Sequence, residues 1–172
     1  MASVRFLGKN IQRALRLDTN IVADLGGSSD GRVFPFYAHP YHEETGTPIV
    51  DANIKRFIAF DDQMGEWPET IPSCEGILEV YAWIQKGEPQ SYDLTYKLRD
   101  DIISCLHVLS NISDVINDDD PSDKIRVVRC RCAGARISFN KTTQYWECAV
   151  RFDIVMSRGE SYDTADAGDA EW

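Results

Sequence analysis

The segment from His39 to Glu44 holds two imidazoles and two carboxylates, which are side chains that bind zinc and similar metal ions. A zinc site made from so few neighbouring residues usually places them on a helix, where the spacing fixes the direction of each side chain. Pro40 argues against a helix here. We therefore expect a solvated loop. The alternative is a small metal-binding domain or enzyme that uses His39, His42, Glu43 and Glu44.

Cys130 and Cys132 lie two residues apart in an expected strand, so both sulfurs point to one face. The spacing lacks a second cysteine pair, and we expect two small buried side chains rather than a metal or redox centre. In the metal-binding alternative they form a second cluster. The chain has five cysteines in all, an odd number, which fits reduced thiols in a cytosolic protein better than a disulfide framework.

The sequence contains none of three common catalytic or phosphate-binding motifs: it has no GxSxG, no Walker loop and no GxGxxG. The Gly26-Gly27 pair follows an expected helix, where it ends the helix instead of binding a phosphate. Cys105 and His107 lie two apart on an expected helix and therefore point away from each other. The run Asp118 to Asp120 lacks the EF-hand pattern, which favours a solvated acidic loop. We expect no enzyme activity, no cofactor and no bound metal.

The length and net charge of the chain indicate how many domains it has and which partners it can bind. The chain has 172 residues, of which 43% are hydrophobic, and a formal net charge of −10. This predicts one domain over residues 1–157 and an acidic, disordered tail over residues 158–172. The negative charge argues against direct, sequence-specific binding of nucleic acid. No apolar run is long enough to span a membrane and no signal peptide is evident, so we expect a protein made and kept in the cytoplasm.

Hydrophobic periodicity predicts the order of the elements. Apolar residues at helical spacing predict an amphipathic helix over residues 3–17, with a basic outer side, and a short second helix that ends at Leu25. Asp18 or Thr19 would cap the second helix. An extended segment follows at residues 32–37, and then a strand over residues 55–60.

The second half of the chain continues this order. A central strand is expected around residues 77–85, and Ser91 would cap a long helix over residues 91–110. Strands over residues 125–139 and 145–157 form a hairpin, because Trp146 to Met156 alternates apolar and mostly polar residues. The fold class is therefore α+β, with a mainly antiparallel four-stranded sheet and helices packed on one face.

Several aromatic residues lie outside the expected core and could be exposed on the surface. They are Phe34, Phe36, Tyr37, Tyr41, Trp67, Tyr81, Trp83 and Tyr145. Aromatics concentrate at protein interfaces, so together they favour an assembly protein. For any one of them, burial on the far side of the sheet within one subunit is an equally good interpretation. Tyr81 and Trp83 could also stack on RNA bases, which the net charge disfavours.

The order of elements resembles that of the tail terminator, or head-to-tail joining, proteins of long-tailed bacteriophages. The resemblance spans about residues 3–157. Its segments are the basic helix, the Gly26-Gly27 stop, Arg32-Val33-Phe34-Pro35, Leu78-Glu79-Val80-Tyr81-Ala82-Trp83, the helix from Tyr92 to Leu109 and the hairpin ending Val150-Arg151-Phe152-Asp153-Ile154.

The resemblance implies a structural subunit of the virion. Such a subunit forms a six-fold ring in the tail or neck, caps the tail tube, stops tube polymerisation and contacts the head connector or stopper protein. Assembly would take place in the host cytoplasm. The related adaptor, neck and tail-completion proteins are the alternative within the same class.

A closed ring needs two different patches that meet between neighbouring subunits. The basic helix side and the acidic loops would supply opposite charges for such contacts. The expected interface residues are Arg5, Lys9, Arg13, Arg16, Phe34, Phe36, Tyr37, Tyr41, Trp67, Asp118, Asp119 and Asp120.

Overall fold

The computed structural model describes residues 5–29, 32–35, 54–64, 73–108, 112, 114–115 and 125–158. The elements, in chain order, are α1 (Arg5–Leu17), α2 (Thr19–Asp24), β1 (Val33–Pro35), β2 (Arg56–Met64), β3 (Ser73–Gln85), α3 (Ser91–His107), β4 (Asp114–Val115), β5 (Ile125–Asn140) and β6 (Tyr145–Arg158). None of the described helices is long and apolar enough to cross a membrane.

Over the described residues the sheet has six strands, in the order β1-β2-β3-β6-β5-β4. The four long strands are antiparallel to one another, as predicted. β1 adds a parallel strand at one edge, and β4 adds a two-residue antiparallel strand at the other. The α+β class and the mainly antiparallel character of the sheet are confirmed, but the predicted number of four strands is wrong, because β1 and β4 add two further strands and β1 makes the sheet mixed. Both are too short to show an alternating pattern in the sequence.

The hydrophobic core lies between the helices and one face of the sheet, which we call the covered face. On β3 this face presents Leu78, Val80, Ala82 and Ile84, all fully buried. The helices contribute Leu7, Ile11, Ala14, Leu15, Ile21, Leu98, Ile102, Cys105 and Leu106 to the same core. Packing of the helices on one face is thus confirmed. The other side of the sheet is called the open face below.

Capping follows the sequence at α2 and departs from it at α3. The Asp18 carboxylate accepts hydrogen bonds from the backbone N–H groups of Asn20 and Ile21, both at 3.0 Å, as an N-cap does. The prediction that Ser91 is the N-cap of α3 is wrong, because Ser91 is the first residue of the helix. Gln90 holds the cap position in the left-handed conformation, with φ of 53°, and makes no side-chain capping bond. The Ser91 hydroxyl instead donates to the Lys86 carbonyl at 3.2 Å.

Three element ends differ from the prediction. β3 begins at Ser73, four residues before the expected start at residue 77. β2 continues to Met64 instead of ending at Phe60, because residues 61–64 stay paired with β3 in spite of the two aspartates that start this stretch. Helix α3 ends at His107, three residues before the predicted end. The β5–β6 hairpin is confirmed, and the Asn140 carboxamide oxygen accepts bonds from the backbone N–H groups of Thr142 and Thr143 in its turn. Of the predicted tail, residues 159–172 lie outside the described part of the chain.

Candidate interaction surface

The open face holds an aromatic cluster of Phe57 on β2, Trp83 on β3 and Tyr145 at the start of β6. The rings of Phe57 and Trp83 stack with centroids 4.8 Å apart, and Tyr145 meets Phe57 edge-on at 6.1 Å. The three residues are only 0%, 2% and 7% exposed. Trp83 and Tyr145 are therefore buried within the single chain. The interpretation that these two aromatic residues are exposed on the surface is wrong. Phe34 packs edge-on against Phe57 at 6.2 Å and is half-buried, so its role at an interface stays a prediction.

The β5 half of the same face carries positive charge. β5 contains four arginines and no carboxylate: Arg126, Arg129, Arg131 and Arg136. All four are exposed, and the pairing of β5 with β6 places them on the open face, whereas Cys130 between them is buried toward the core. We call these four residues the arginine stripe. In an acidic chain, this concentration of guanidinium groups marks a surface suited to anionic partners.

A depression lies where the arginine stripe meets β6. It has a volume of about 350 Å³, and Tyr81, Gly134, Arg136, Ala149 and Arg151 are among the residues that line it. Gly134 leaves the space open, because a Cβ added there would meet no atom within 4 Å. Two guanidinium groups beside a phenol ring can bind a carboxylate or phosphate oxygen with paired hydrogen bonds.

Carboxylates on the inner strands balance part of this charge. Glu79 lines the depression, accepts a hydrogen bond from the Tyr81 hydroxyl and stands opposite Arg151 across β3 and β6. Glu75 lies 3.8 Å from Arg129. Arg136, in contrast, stands opposite Ala149 on β6. Asp153, which is exposed, also stands opposite Arg131, so at least two of the four stripe arginines have a carboxylate as a neighbour on this face.

The predicted basic side of α1 lies on the other side of the sheet. Lys9 and Arg13 are exposed and Arg16 is half-buried. Arg13 lines a second depression of about 500 Å³ together with Leu17, which is 73% exposed. Arg5 lies in α1, but its side chain is outside the described part of the structure. The chain thus presents two basic surfaces, on α1 and on the open face, and the fold does not bring them together.

Several predicted site residues lie outside the described residues. They are Phe36, Tyr37, Tyr41, Trp67, Asp118, Asp119 and Asp120 among the expected interface residues, and His39, His42, Glu43 and Glu44 of the metal-binding alternative. Within the described ranges, no group of three or more His, Cys, Asp or Glu residues could hold a metal ion.

Three of the five thiols are core residues rather than reactive groups. Burial raises the pKa values of Cys105, Cys130 and Cys148 to about 12, so these thiols stay protonated at neutral pH. Cys130 and Cys132 both project to the covered face, as predicted, with Cys130 buried and Cys132 half-buried. Cys105 lies against the backbone carbonyl of Ala14 at 3.6 Å, whereas the exposed His107 contacts β5, so the two do not face each other.

The arginine stripe is the feature that reasoning from the sequence missed. The signal was present, since four arginines and no carboxylate fall within sixteen residues. Two β-bulges, at Val128 and at Ala133, shift the register of β5, so simple alternation does not place the four arginines on one face. Strict alternation would place Arg126 and Arg129 on opposite faces. Each bulge adds one residue to β5 and restores the arginines to one side.

No family model matches this chain, and no curated protein matches it. Among solved structures, the fold is similar to that of a chain in the virion of a native gene transfer agent (GTA) particle. The likeness covers 89% of this chain and 95% of that chain, with a TM-score of 0.57 and 10% sequence identity. At this identity the likeness shows a shared fold.

Proposed function

We propose that this protein is a structural component of a virion, that it has no catalytic role, and that it works by binding other virion proteins. The observation that carries the proposal is the likeness of nearly the whole fold to a chain of the gene transfer agent virion. The open face supports it, because it offers an exposed charged surface and a shallow depression. The buried, protonated thiols fit the same role.

The finer proposal is a tail terminator, located in the tail or neck of the particle and assembled in the host cytoplasm. In this role copies of the chain form a six-fold ring that caps the tail tube, stops its polymerisation and joins it to the head connector or stopper protein. Its support is the element order of the sequence, which resembles that family, together with the fold likeness.

The distribution of surfaces is compatible with a ring. A ring of identical subunits needs two different patches that meet at each contact. The exposed basic side of α1 and the open face lie on opposite sides of the sheet, so they can serve different neighbours. At its outer side, β5 pairs with β4 only at Ile125 and Arg126 in the described part of the chain. The rest of that edge can also contact a neighbouring subunit.

The test is to purify the chain, measure its mass in solution by size-exclusion chromatography with light scattering, and image it with isolated tail tubes. We expect rings and binding at tube ends. Reversing the charge on α1 with Lys9→Glu and Arg13→Glu should weaken ring formation. The matched control is Lys141→Glu, an exposed lysine in the hairpin turn. Monomers at every concentration that never touch tube ends would contradict the proposal, and binding to head connectors alone would favour the adaptor alternative.

A further inference from the structure

The arginine stripe runs along the outer strand of the sheet. Its partners on β6 run from Ser157, opposite Arg126, to Ala149, opposite Arg136, which is eight residue steps, or about 26 Å at roughly 3.3 Å per residue. All of its side chains are exposed on the open face. A ligand that contacts the whole stripe must therefore be extended, and negative charges along its length would add to those of Glu75 and Asp153, which lie beside Arg129 and Arg131.

The sequence supplies such a ligand directly after β6. Residues 159–172 contain five carboxylates and no lysine or arginine: Glu160, Asp163, Asp166, Asp169 and Glu171. β6 ends at Arg158, which pairs with Ile125, so the chain leaves the sheet next to the first arginine of the stripe. Fourteen residues can span up to about 46–50 Å when extended, which is more than the length of the stripe.

We propose that the acidic segment 159–172 binds the arginine stripe of the same chain. Covalent attachment gives the segment an effective concentration of the order of millimolar at this surface, without any contribution from a second molecule. A nucleic acid has the required charge, but the net charge of −10 repels it over most of the protein surface. The same segment of a second chain lacks the high effective concentration that covalent attachment provides. The observations therefore favour the chain's own segment.

The spacing of the carboxylates indicates how the segment binds. They recur every three residues from Glu160 to Asp169. A strand added to the β5 edge would direct alternate residues to one face, which requires a spacing of two. Contact through side-chain ion pairs needs no such register. The interaction is therefore electrostatic and weakens as salt screens the charges.

Carbodiimide cross-linking of the full chain tests this proposal. Arg131→Lys and Arg136→Lys each keep the positive charge and introduce an amine that can form an amide with a nearby carboxylate. The matched control is Arg13→Lys, which places the same amine on α1, at an exposed position on the opposite side of the sheet. Mass spectrometry identifies the joined peptides. We expect cross-links from both stripe positions to residues 159–172, at least about tenfold above the control, and their loss in about 1 M salt.

Two further measurements separate the other occupants. In a mixture of isotope-labelled and unlabelled chains, the proposal expects cross-links within one chain; cross-links found only between two chains would overturn it. Equal yields at the stripe and at the α1 control would also overturn it. Finally, binding of a short DNA duplex that is lost with Arg131→Glu and Arg136→Glu, yet unchanged when all five carboxylates are replaced by amides, would assign the stripe to nucleic acid instead.

Discussion

The imidazole of His107 accepts a hydrogen bond from the backbone N–H of Cys132, with Nε2 and N 3.0 Å apart. This contact ties the last residue of α3 to the outer strand β5, at a point where β5 has no partner strand on its outer side among the described elements. Unpaired N–H groups of an edge strand are sites of unwanted strand pairing. His107 therefore both anchors the helix and blocks one donor on this edge.

The first prediction concerns this contact. His107→Ala removes the acceptor, and because the site is exposed, water replaces it at modest cost. We expect the free energy of unfolding to fall by about 0.5–1.5 kcal/mol and self-association to increase. Urea titration and light scattering measure the two effects. Val108→Ala, at the neighbouring exposed position, is the control. If both variants behave alike, His107 does not protect the edge.

The second prediction concerns the aromatic cluster. Phe57 is fully buried and stacks on Trp83, so Phe57→Ala leaves a cavity and should lower the free energy of unfolding by about 3–5 kcal/mol. Phe34→Ala should cost less, because Phe34 is half-buried and meets only the edge of the cluster. Chemical denaturation followed by tryptophan fluorescence measures both. Equal losses would mean that the open face carries no independent core.

The third prediction concerns pH. Asp24 and Asp101 share the ammonium group of Lys97. Burial above all, and then the Asp24 carboxyl, raises the pKa of Asp101 from its ordinary value of 3.8. Because the pKa of Asp101 is higher in the folded state than in the unfolded state, protonation of this carboxyl stabilises the fold. The stabilisation is complete below the unfolded-state pKa and is lost as the pH rises through the folded-state pKa.

Asp101→Asn should abolish this loss. The variant's free energy of unfolding should therefore decline less than that of the unmodified chain as pH rises from about 3 to neutral. Urea titrations across this range give the measurement. Asp100→Asn, at a position that is 63% exposed on the same helix, is the matched control. The explanation fails if the two variants show the same dependence on pH as the unmodified chain.

The fourth prediction concerns the cysteines. With pKa values of about 12, Cys105, Cys130 and Cys148 hold about a thousandfold less thiolate than at their ordinary value of 9.0. We expect iodoacetamide to modify the partly exposed Cys74 and Cys132 first, and the other three only after unfolding in urea. Peptide mass spectrometry at successive times reports each site. Equal labelling of all five in the folded protein would contradict the burial of these thiols.

The sequence by itself determined the α+β class, the long strands and the helices. Periodicity reports which side of an element is apolar, and the alternation from Trp146 to Met156 predicts β6 almost to the residue. The Asp18 cap and the Gly26-Gly27 stop were predicted for the same reason, since they depend on neighbours within a few residues. Such local preferences act wherever the rest of the chain lies.

Only the tertiary structure decided what lies opposite each face. Trp83 and Phe57 are distant in sequence, and their stacking depends on the register between β2 and β3, which no local pattern encodes. The common side of Arg129 and Arg136 depends on a bulge at Ala133, where β5 gains a residue that β6 does not match. Strand pairing over long separations, not residue type, thus sets the surface through which we propose that this protein acts.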